Sequence, residues 1–185
     1  MKYFIISQPK AGTYLLSNVL IELGIEPTHL HISTTNYQDY SSKEIDAATN
    51  PKKYSKKIPM EESLRLIGNN SFAVGHIPYN NTTEILLKDF KKILITRDTN
   101  GIKESFERFK KEFQRRNRYN KTLNDNIEMW KKTNIFHIKF EEVISKNAEK
   151  IDSLQTYLFN KINVNSENAL ENALNNPSLT KSSIR

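Results

Sequence analysis

The sequence predicts an α/β domain with a mainly parallel sheet, and three observations carry that reading. Short apolar runs rich in β-branched and aromatic residues recur at residues 3–7, 71–74, 92–96 and 135–140. Between them lie stretches whose apolar residues repeat at helical spacing. A chain of 185 residues is long enough for one sizeable core, burying roughly 70% of the surface its unfolded form exposes. Strands alternating with helices give parallel neighbours, and the ligands of such sheets gather at the carboxyl ends of the strands.

Each element follows from its own residues. Tyr3, Phe4, Ile5 and Ile6 form a continuous apolar run, which reads as a buried first strand. From Thr13 the period changes: Leu15, Leu16, Val19, Leu20 and Leu23 recur at helical spacing, and Gly24 stands where a helix-ending glycine is expected. Residues 26–60 hold Pro27, Pro51 and Pro59, a polar run at 33–40 and the basic cluster Lys52, Lys53, Lys56 and Lys57; this reads as a long functional loop or lid. A helix over 61–67 follows, then a strand over 71–74 ended by Gly75-His76-Ile77-Pro78, then a helix capped by Asn81 with Glu84 and running to about Lys88. Residues 92–96 form a second clear strand. Residues 99–117 read as a long helix with Ile102, Phe106, Phe109 and Phe113 on one face. A helix over 123–132, a strand over 135–140 and a helical stretch over 148–174 complete one domain spanning 1–185.

Composition narrows the function classes. The absence of cysteine excludes disulfides and cysteine-based zinc sites and suits a reducing compartment. The apolar run at the amino terminus is too short for a signal-peptide core, and no span reaches 18 apolar residues. A cytoplasmic address without a transmembrane segment is therefore expected. The net charge of +7 favours an anionic partner: a nucleotide, an acidic glycan, a nucleic acid or an anionic membrane surface.

Three segments bear chemistry. Gln8-Pro9-Lys10-Ala11-Gly12-Thr13 joins the first strand to the first helix, so backbone N–H groups and the helix dipole point at whatever anion binds there. Lys10 adds a mobile charge. The G-x-x-x-x-G-K-[ST] spacing of a Walker A loop is absent. Thr96-Arg97-Asp98 ends a strand, and Ser105 follows Arg97 by eight residues on the next helix; strand end and helix can converge on one anion. His76 stands at a strand end, where a near-neutral pKa suits a general base for a hydroxyl. Each segment alone has a plainer reading: a turn with a surface lysine, a sheet cap with a helix-surface serine, a histidine that finishes a strand. His29 and His31 can share a strand face, but two histidines without further ligands do not make a zinc site, and no metal is expected.

In order and spacing these segments resemble the sulfotransferases that use 3′-phosphoadenosine-5′-phosphosulfate (PAPS). Pro9-Lys10-Ala11-Gly12-Thr13 is similar to the family's 5′-phosphosulfate loop, Pro-Lys-Ser-Gly-Thr. Gly75-His76-Ile77-Pro78 is similar to the His-Leu-Pro segment that supplies the catalytic base. Leu94-Ile95-Thr96-Arg97 with Ser105 resembles the 3′-phosphate motif, and Phe140-Glu141-Glu142-Val143 resembles a Tyr-Glu-Asp-Leu segment. The resemblance runs from residue 3 to about residue 145. It implies a three-layer sandwich with a mainly parallel central sheet, like that of P-loop NTPases. It also implies sulfuryl transfer to an acceptor hydroxyl or amine, leaving adenosine 3′,5′-bisphosphate.

The roles implied are His76 as base, Lys10 at the leaving phosphate, Lys10, Ala11, Gly12, Thr13 and Tyr14 around the donor's 5′ end, and Arg97 and Ser105 on the 3′ phosphate, without a metal. The acceptor class stays open among small molecules, glycans and lipids, as does the oligomeric state. Departures are Leu15 where many members carry a Trp near adenine, Phe140 for a Tyr, and Val74 for a Lys. The family's closing Arg-Lys-Gly segment, which clasps the 3′ phosphate, is met only by Ser182-Ser183-Ile184-Arg185, which can align with its start; either the chain is cut short there or the clasp comes from elsewhere. Two other readings compete. One is a PAPS- or bisphosphate-binding protein without turnover. The other, ranked last, is a nucleic-acid-binding surface made by Arg108, Lys110, Lys111, Arg115, Arg116, Arg118 and Lys121.

Overall fold

Tyr3, Phe4, Ile5 and Ile6 are all buried because the first strand, β1 (Lys2–Ser7), has a packed layer on each face. The computed structural model describes residues 1–39, 55–113 and 121–176. After β1 come α1 (Thr13–Glu22), β2 (Glu26–Ile32), β3 (Tyr37–Asp39), β4 (Ser55–Lys56), α2 (Met60–Arg65), β5 (Ser71–Gly75), α3 (Asn81–Leu86) and β6 (Phe90–Thr96). The chain continues through α4 (Thr99–Phe113), α5 (Lys121–Lys131), β7 (Phe136–Lys139), α6 (Phe140–Ile144), α7 (Ala148–Phe159) and α8 (Ser166–Asn175). The sheet order is β4-β3-β2-β5-β1-β6-β7. The pairs from β2 to β7 are parallel, and β3 and β4 add an antiparallel edge.

Alternate residues of the central strands feed two separate cores, as the two-residue repeat of a strand demands. Tyr3 and Ile5 of β1, Phe72 and Val74 of β5, and Ile93 and Ile95 of β6 pack with Leu16 and Leu20 of α1, Leu154 of α7 and Leu170 of α8. Phe4, Ile6, Ala73 and Leu94 face the other way, onto Leu64 of α2 and Ile127 and Trp130 of α5. The result is the three-layer α/β sandwich with a mainly parallel sheet that the sequence implied. Two buried faces also explain why these strands are uninterrupted apolar runs rather than alternating ones.

The structure departs from the sequence reading where polar residues hide strands. Residues 26–60, expected as a loop, contain β2, β3 and β4. These strands carry mostly polar, half-buried side chains, and β3 and β4 are only three and two residues long, so no apolar run marks them. Lys52 and Lys53, from the basic cluster, fall outside the described residues. The cap of α3 is Asn80, not Asn81: Asn80 Oδ1 accepts the Thr83 N–H at 3.0 Å, Thr83 Oγ1 accepts the Asn80 N–H at 3.1 Å, and the helix ends at Leu86. Phe140 opens α6 instead of ending β7, because Glu142 Oε2 accepts the Lys139 N–H at 2.7 Å and starts a helix there. The stretch 148–174 is two helices, broken where Asn160 takes φ 59°. Residues 114–117, expected to continue α4, fall outside the described residues, as do the side chains of every member of the basic cluster 108–121 except Arg108.

Trp130 ties the helical layer to the segment that carries His76. It is fully buried, its ring meets Tyr79 edge-on, and its Nε1–H donates to the Ile77 carbonyl at 2.9 Å. Trp130→Phe keeps an aromatic ring but leaves that carbonyl without its donor. We expect a loss of about 1–3 kcal/mol in urea unfolding; an unchanged midpoint would mean the bond contributes nothing.

Candidate functional site

Parallel pairing sets the carboxyl ends of the inner strands side by side. Ile6 lies opposite Gly75, Ser7 opposite Ile95, and Thr96 opposite Lys139. The residues that leave these strand ends, Gln8, His76, Arg97 and Phe140, therefore share one rim of the sheet. Gly75 permits this crowding, since a Cβ there would strike the Ile32 carbonyl oxygen of β2.

The loop after β1 turns sharply. Ala11 N–H donates to the Gln8 carbonyl at 3.2 Å, and Lys10 and Gly12 take φ 68° and 94°. Gly12 is required twice over: its φ lies in the left-handed region, and an added Cβ would stand 2.5 Å from Phe140 Cδ2. Lys10 holds the same unfavourable region without glycine's freedom, and strain of that kind collects at ligand clamps. No side chain caps α1. Its first-turn N–H groups can therefore accept an anion with support from the helix dipole, and Lys10, Ala11, Gly12, Thr13 and Tyr14 lie at that helix start.

Arg97 brings a second cationic group to the rim. Its guanidinium carbon stands 4.1 Å from the centre of the Phe140 ring, a cation–π contact. Nη1 reaches toward the Lys10 carbonyl at 3.5 Å, while Nε is buried with no protein partner. A buried donor left open in this way costs stability unless something outside the protein satisfies it. A Cβ on Gly101 would lie 2.6 Å from Arg97 Nε, so the start of α4 approaches the arginine only because residue 101 is glycine. Ser105 stands four residues further along α4, on the same face as Gly101 and about one turn beyond it. A crevice of about 530 Å³ opens beside Arg97, lined by Gln8, Thr96, Lys131 and Lys139 among others.

His76 is oriented by β1. Its Nδ1 lies 2.9 Å from the Ser7 carbonyl oxygen, which can only accept, so Nδ1 carries the proton and Nε2 keeps a lone pair. Ser7 Oγ is 3.1 Å from the same nitrogen and 2.7 Å from Thr13 Oγ1, so Ser7 joins His76 to the first turn of α1. Burial, opposed by the Ser7 hydrogen bond and assisted by the Lys10 charge, lowers the His76 pKa to about 4. The ring is neutral at pH 7.

β2 bulges between Pro27 and His31, where four residues of β2 span the length of two on β5, and His29 takes φ 59°. The two histidines consequently do not serve one site. His31 packs against His76, whereas His29 Nδ1 is buried without a partner. Among the described residues no group of three or more His, Asp or Glu is placed to hold a metal, and no helix is long and apolar enough to cross a membrane.

Sequence reasoning singled out Lys10 to Tyr14, His76, Arg97 and Ser105 but missed Ser7, His31 and Gly101, and it saw Phe140 only as a substituted tyrosine. Ser7 had a faint signal, as the one polar residue closing an apolar strand. The others had none, because their roles come from contacts between distant elements.

The uncapped start of α1 after a parallel strand, with an arginine and a histidine on neighbouring strand ends, sits at the carboxyl ends of the strands, where α/β sheets gather their ligands. Among solved structures the chain superposes on a mouse sulfotransferase, SULT7A1, complexed with PAP, with a TM-score of 0.60 and 16% identity over 98% of this chain and 65% of that one. It also superposes on retinol dehydratase in complex with androsterone and inactive cofactor PAP, with a TM-score of 0.59 and 13% identity over 93% of this chain and 62% of that one. The chain thus spans somewhat under two thirds of the length of each, and it has the sulfotransferase fold. No family model matches the sequence, and no curated protein matches it.

The depressed pKa of His76 makes stability pH-dependent with a definite sign. Above the unfolded value of 6.5 both states are neutral and nothing changes; between 6.5 and about 4 only the unfolded chain takes up the proton, so stability falls as pH falls. Below about 4 the loss is complete, on the order of 3 kcal/mol for this one group. We expect denaturant midpoints to decline over that window and to decline less in His76→Gln. Parallel curves for the two proteins would contradict the shift.

Proposed function

We propose that the chain is a sulfotransferase that moves the sulfuryl group of PAPS to an acceptor hydroxyl or amine. The observation that carries this reading is the meeting of three groups on one rim: the uncapped start of α1 at Gly12, the unpartnered Arg97 Nε, and the lone pair of His76 Nε2. A donor with phosphates at both ends of an adenosine suits two separate anion points. The fold shared with PAP-bound sulfotransferases supports the same donor.

The donor supplies the sulfuryl group; the chain supplies positioning, charge and a base. Lys10 and the N–H groups of the first turn of α1 hold the 5′ phosphate and take up charge on the oxygen from which the sulfur departs. Arg97, in contact with the Phe140 ring, and Ser105 hold the 3′ phosphate; guanidinium geometry matches phosphate oxygens. Nε2 of His76 removes the acceptor proton as the new S–O or S–N bond forms. Polyanionic charge beside His76 opposes the effects of burial and Lys10 and brings its pKa up toward the working range of a base.

Beside the strand end that carries His76 lies a groove of about 1010 Å³ that includes Pro78, only two residues on. Thr34, Asn80, Asn81 and Thr82 line it together with Glu61, Met60, Tyr79 and Leu86, and no Lys, Arg or His does so among the described residues. Amides, hydroxyls and one carboxylate without a cation suit a hydroxyl-bearing acceptor that carries no negative charge. Labelled PAPS offered with neutral sugars and with their phosphorylated counterparts is expected to transfer preferentially to the neutral set. A preference for the phosphorylated set would contradict this assignment.

The main test separates an enzyme from a binding protein that lacks turnover. His76→Ala is expected to lower transfer on the order of 100- to 10,000-fold while calorimetric PAP affinity stays close to that of the unaltered chain; Arg97→Ala is expected to lose PAP binding. Unimpaired transfer in His76→Ala would sink the catalytic assignment. Binding of PAP without transfer to any acceptor by the unaltered chain would favour the binding protein.

A further inference from the structure

Ser7 fixes one side of His76. The His31 ring also lies against it, with ring centres 4.6 Å apart at an interplanar angle of 74°, edge to face. His31 owes this place to the β2 bulge, which puts it level with Val74, beside the strand end that carries His76; bulges commonly re-aim side chains next to functional sites. His31 is held in turn by Tyr14: the tyrosine hydroxyl is 3.2 Å from His31 Nδ1, and the two rings are 6.4 Å apart. Tyr14 is the second residue of α1, in the turn that forms the anion site.

Resting on the reading of His76 as the base, we propose that His31 is a positioning residue, which holds the His76 ring and links it through Tyr14 to the donor loop. The base is then connected to that loop twice. Thr13 reaches it through Ser7 Oγ, and Tyr14 reaches it through His31. The two links approach the ring from different elements, β1 and β2, and both end in the first turn of α1. A shift of that turn on donor binding is therefore carried to His76 from both directions, so that the base is aimed when the donor is in place.

The groups facing the histidine pair fix the electrostatics of the arrangement. Lys10 contributes a positive charge from the loop; Tyr14, Ser7 and Thr13 contribute neutral hydroxyls. Burial lowers the pKa of His31 well below the ordinary value, with a smaller contribution from His76, so both rings are neutral near pH 7. Two neutral rings edge to face attract without competing for a proton, whereas a charged His31 would repel a charged His76.

The test reads His76 itself by nitrogen-15 NMR in ligand-free protein, where no acceptor is needed. In the unaltered chain His76 is expected as a single Nδ1–H tautomer. In His31→Ala the tautomers are expected to mix and the titration midpoint of His76 to rise by about one unit, as the ring gains water and loses its neighbour. His31→Phe restores an edge-to-face ring and is expected to restore the single tautomer. Should His31→Ala fail to fold, Tyr14→Phe, which removes only the hydroxyl holding His31, is expected to move His76 in the same direction by less. An unchanged tautomer and midpoint in folded His31→Ala, or in Tyr14→Phe if that is the measurable variant, would overturn the proposal. Calorimetry with PAP on the unaltered chain reports separately on the sulfotransferase reading, because its failure leaves the coupling of the two histidines to be measured as before.

Discussion

The burial of β1 on both faces, with parallel partners on both edges, is the constraint from which the rest of the structure follows. A strand in that position cannot shift its register without moving every apolar side chain to the wrong core. With β1 pinned, the ends of β5 and β6 are fixed beside it, Ile6 against Gly75 and Ser7 against Ile95. The site is assembled from what leaves those ends. Its geometry is therefore as rigid as the sheet, although most of its residues lie in loops.

Around that frame the site is packed by small residues at points of close approach. Gly75 lets β2 come against β5, Gly12 lets Phe140 lie under the loop, and Gly101 lets α4 close on Arg97. Phe140 meets two of the anion-binding parts at once, since its ring supports the Arg97 guanidinium and fills the space that a Cβ at residue 12 would need. Replacing an aromatic there would disturb both parts together.

Lys10, Arg97 and the first-turn N–H groups of α1 bring positive charge to the rim, where Asp98 and Glu141 stand near Arg97, while burial keeps the two histidines neutral near pH 7. A neutral imidazole with its Nδ1 proton committed to a backbone carbonyl keeps an Nε2 lone pair that can accept a hydrogen bond or a proton. Within the proposed reaction an incoming polyanion would both occupy the positive points and raise the basicity of His76, so that the base strengthens when the donor is present.

The sequence by itself determined the α/β class, the order of the central strands and helices along the chain, and the segments that bear charge. These are local properties: an apolar run, a change of period at Thr13, a glycine in a strand-to-helix turn. It also placed His76, Arg97 and Ser105 on the right elements, because strand ends are visible as the points where apolar runs stop. The polar strands β2, β3 and β4 were illegible, since half-buried polar strands carry no apolar signature. What only the tertiary structure decided is who meets whom. Phe140 under Gly12 and Arg97, Ser7 on His76, and His31 re-aimed by a bulge onto the same ring join residues tens of positions apart, and such contacts are fixed by sheet register and packing rather than by any pattern along the chain.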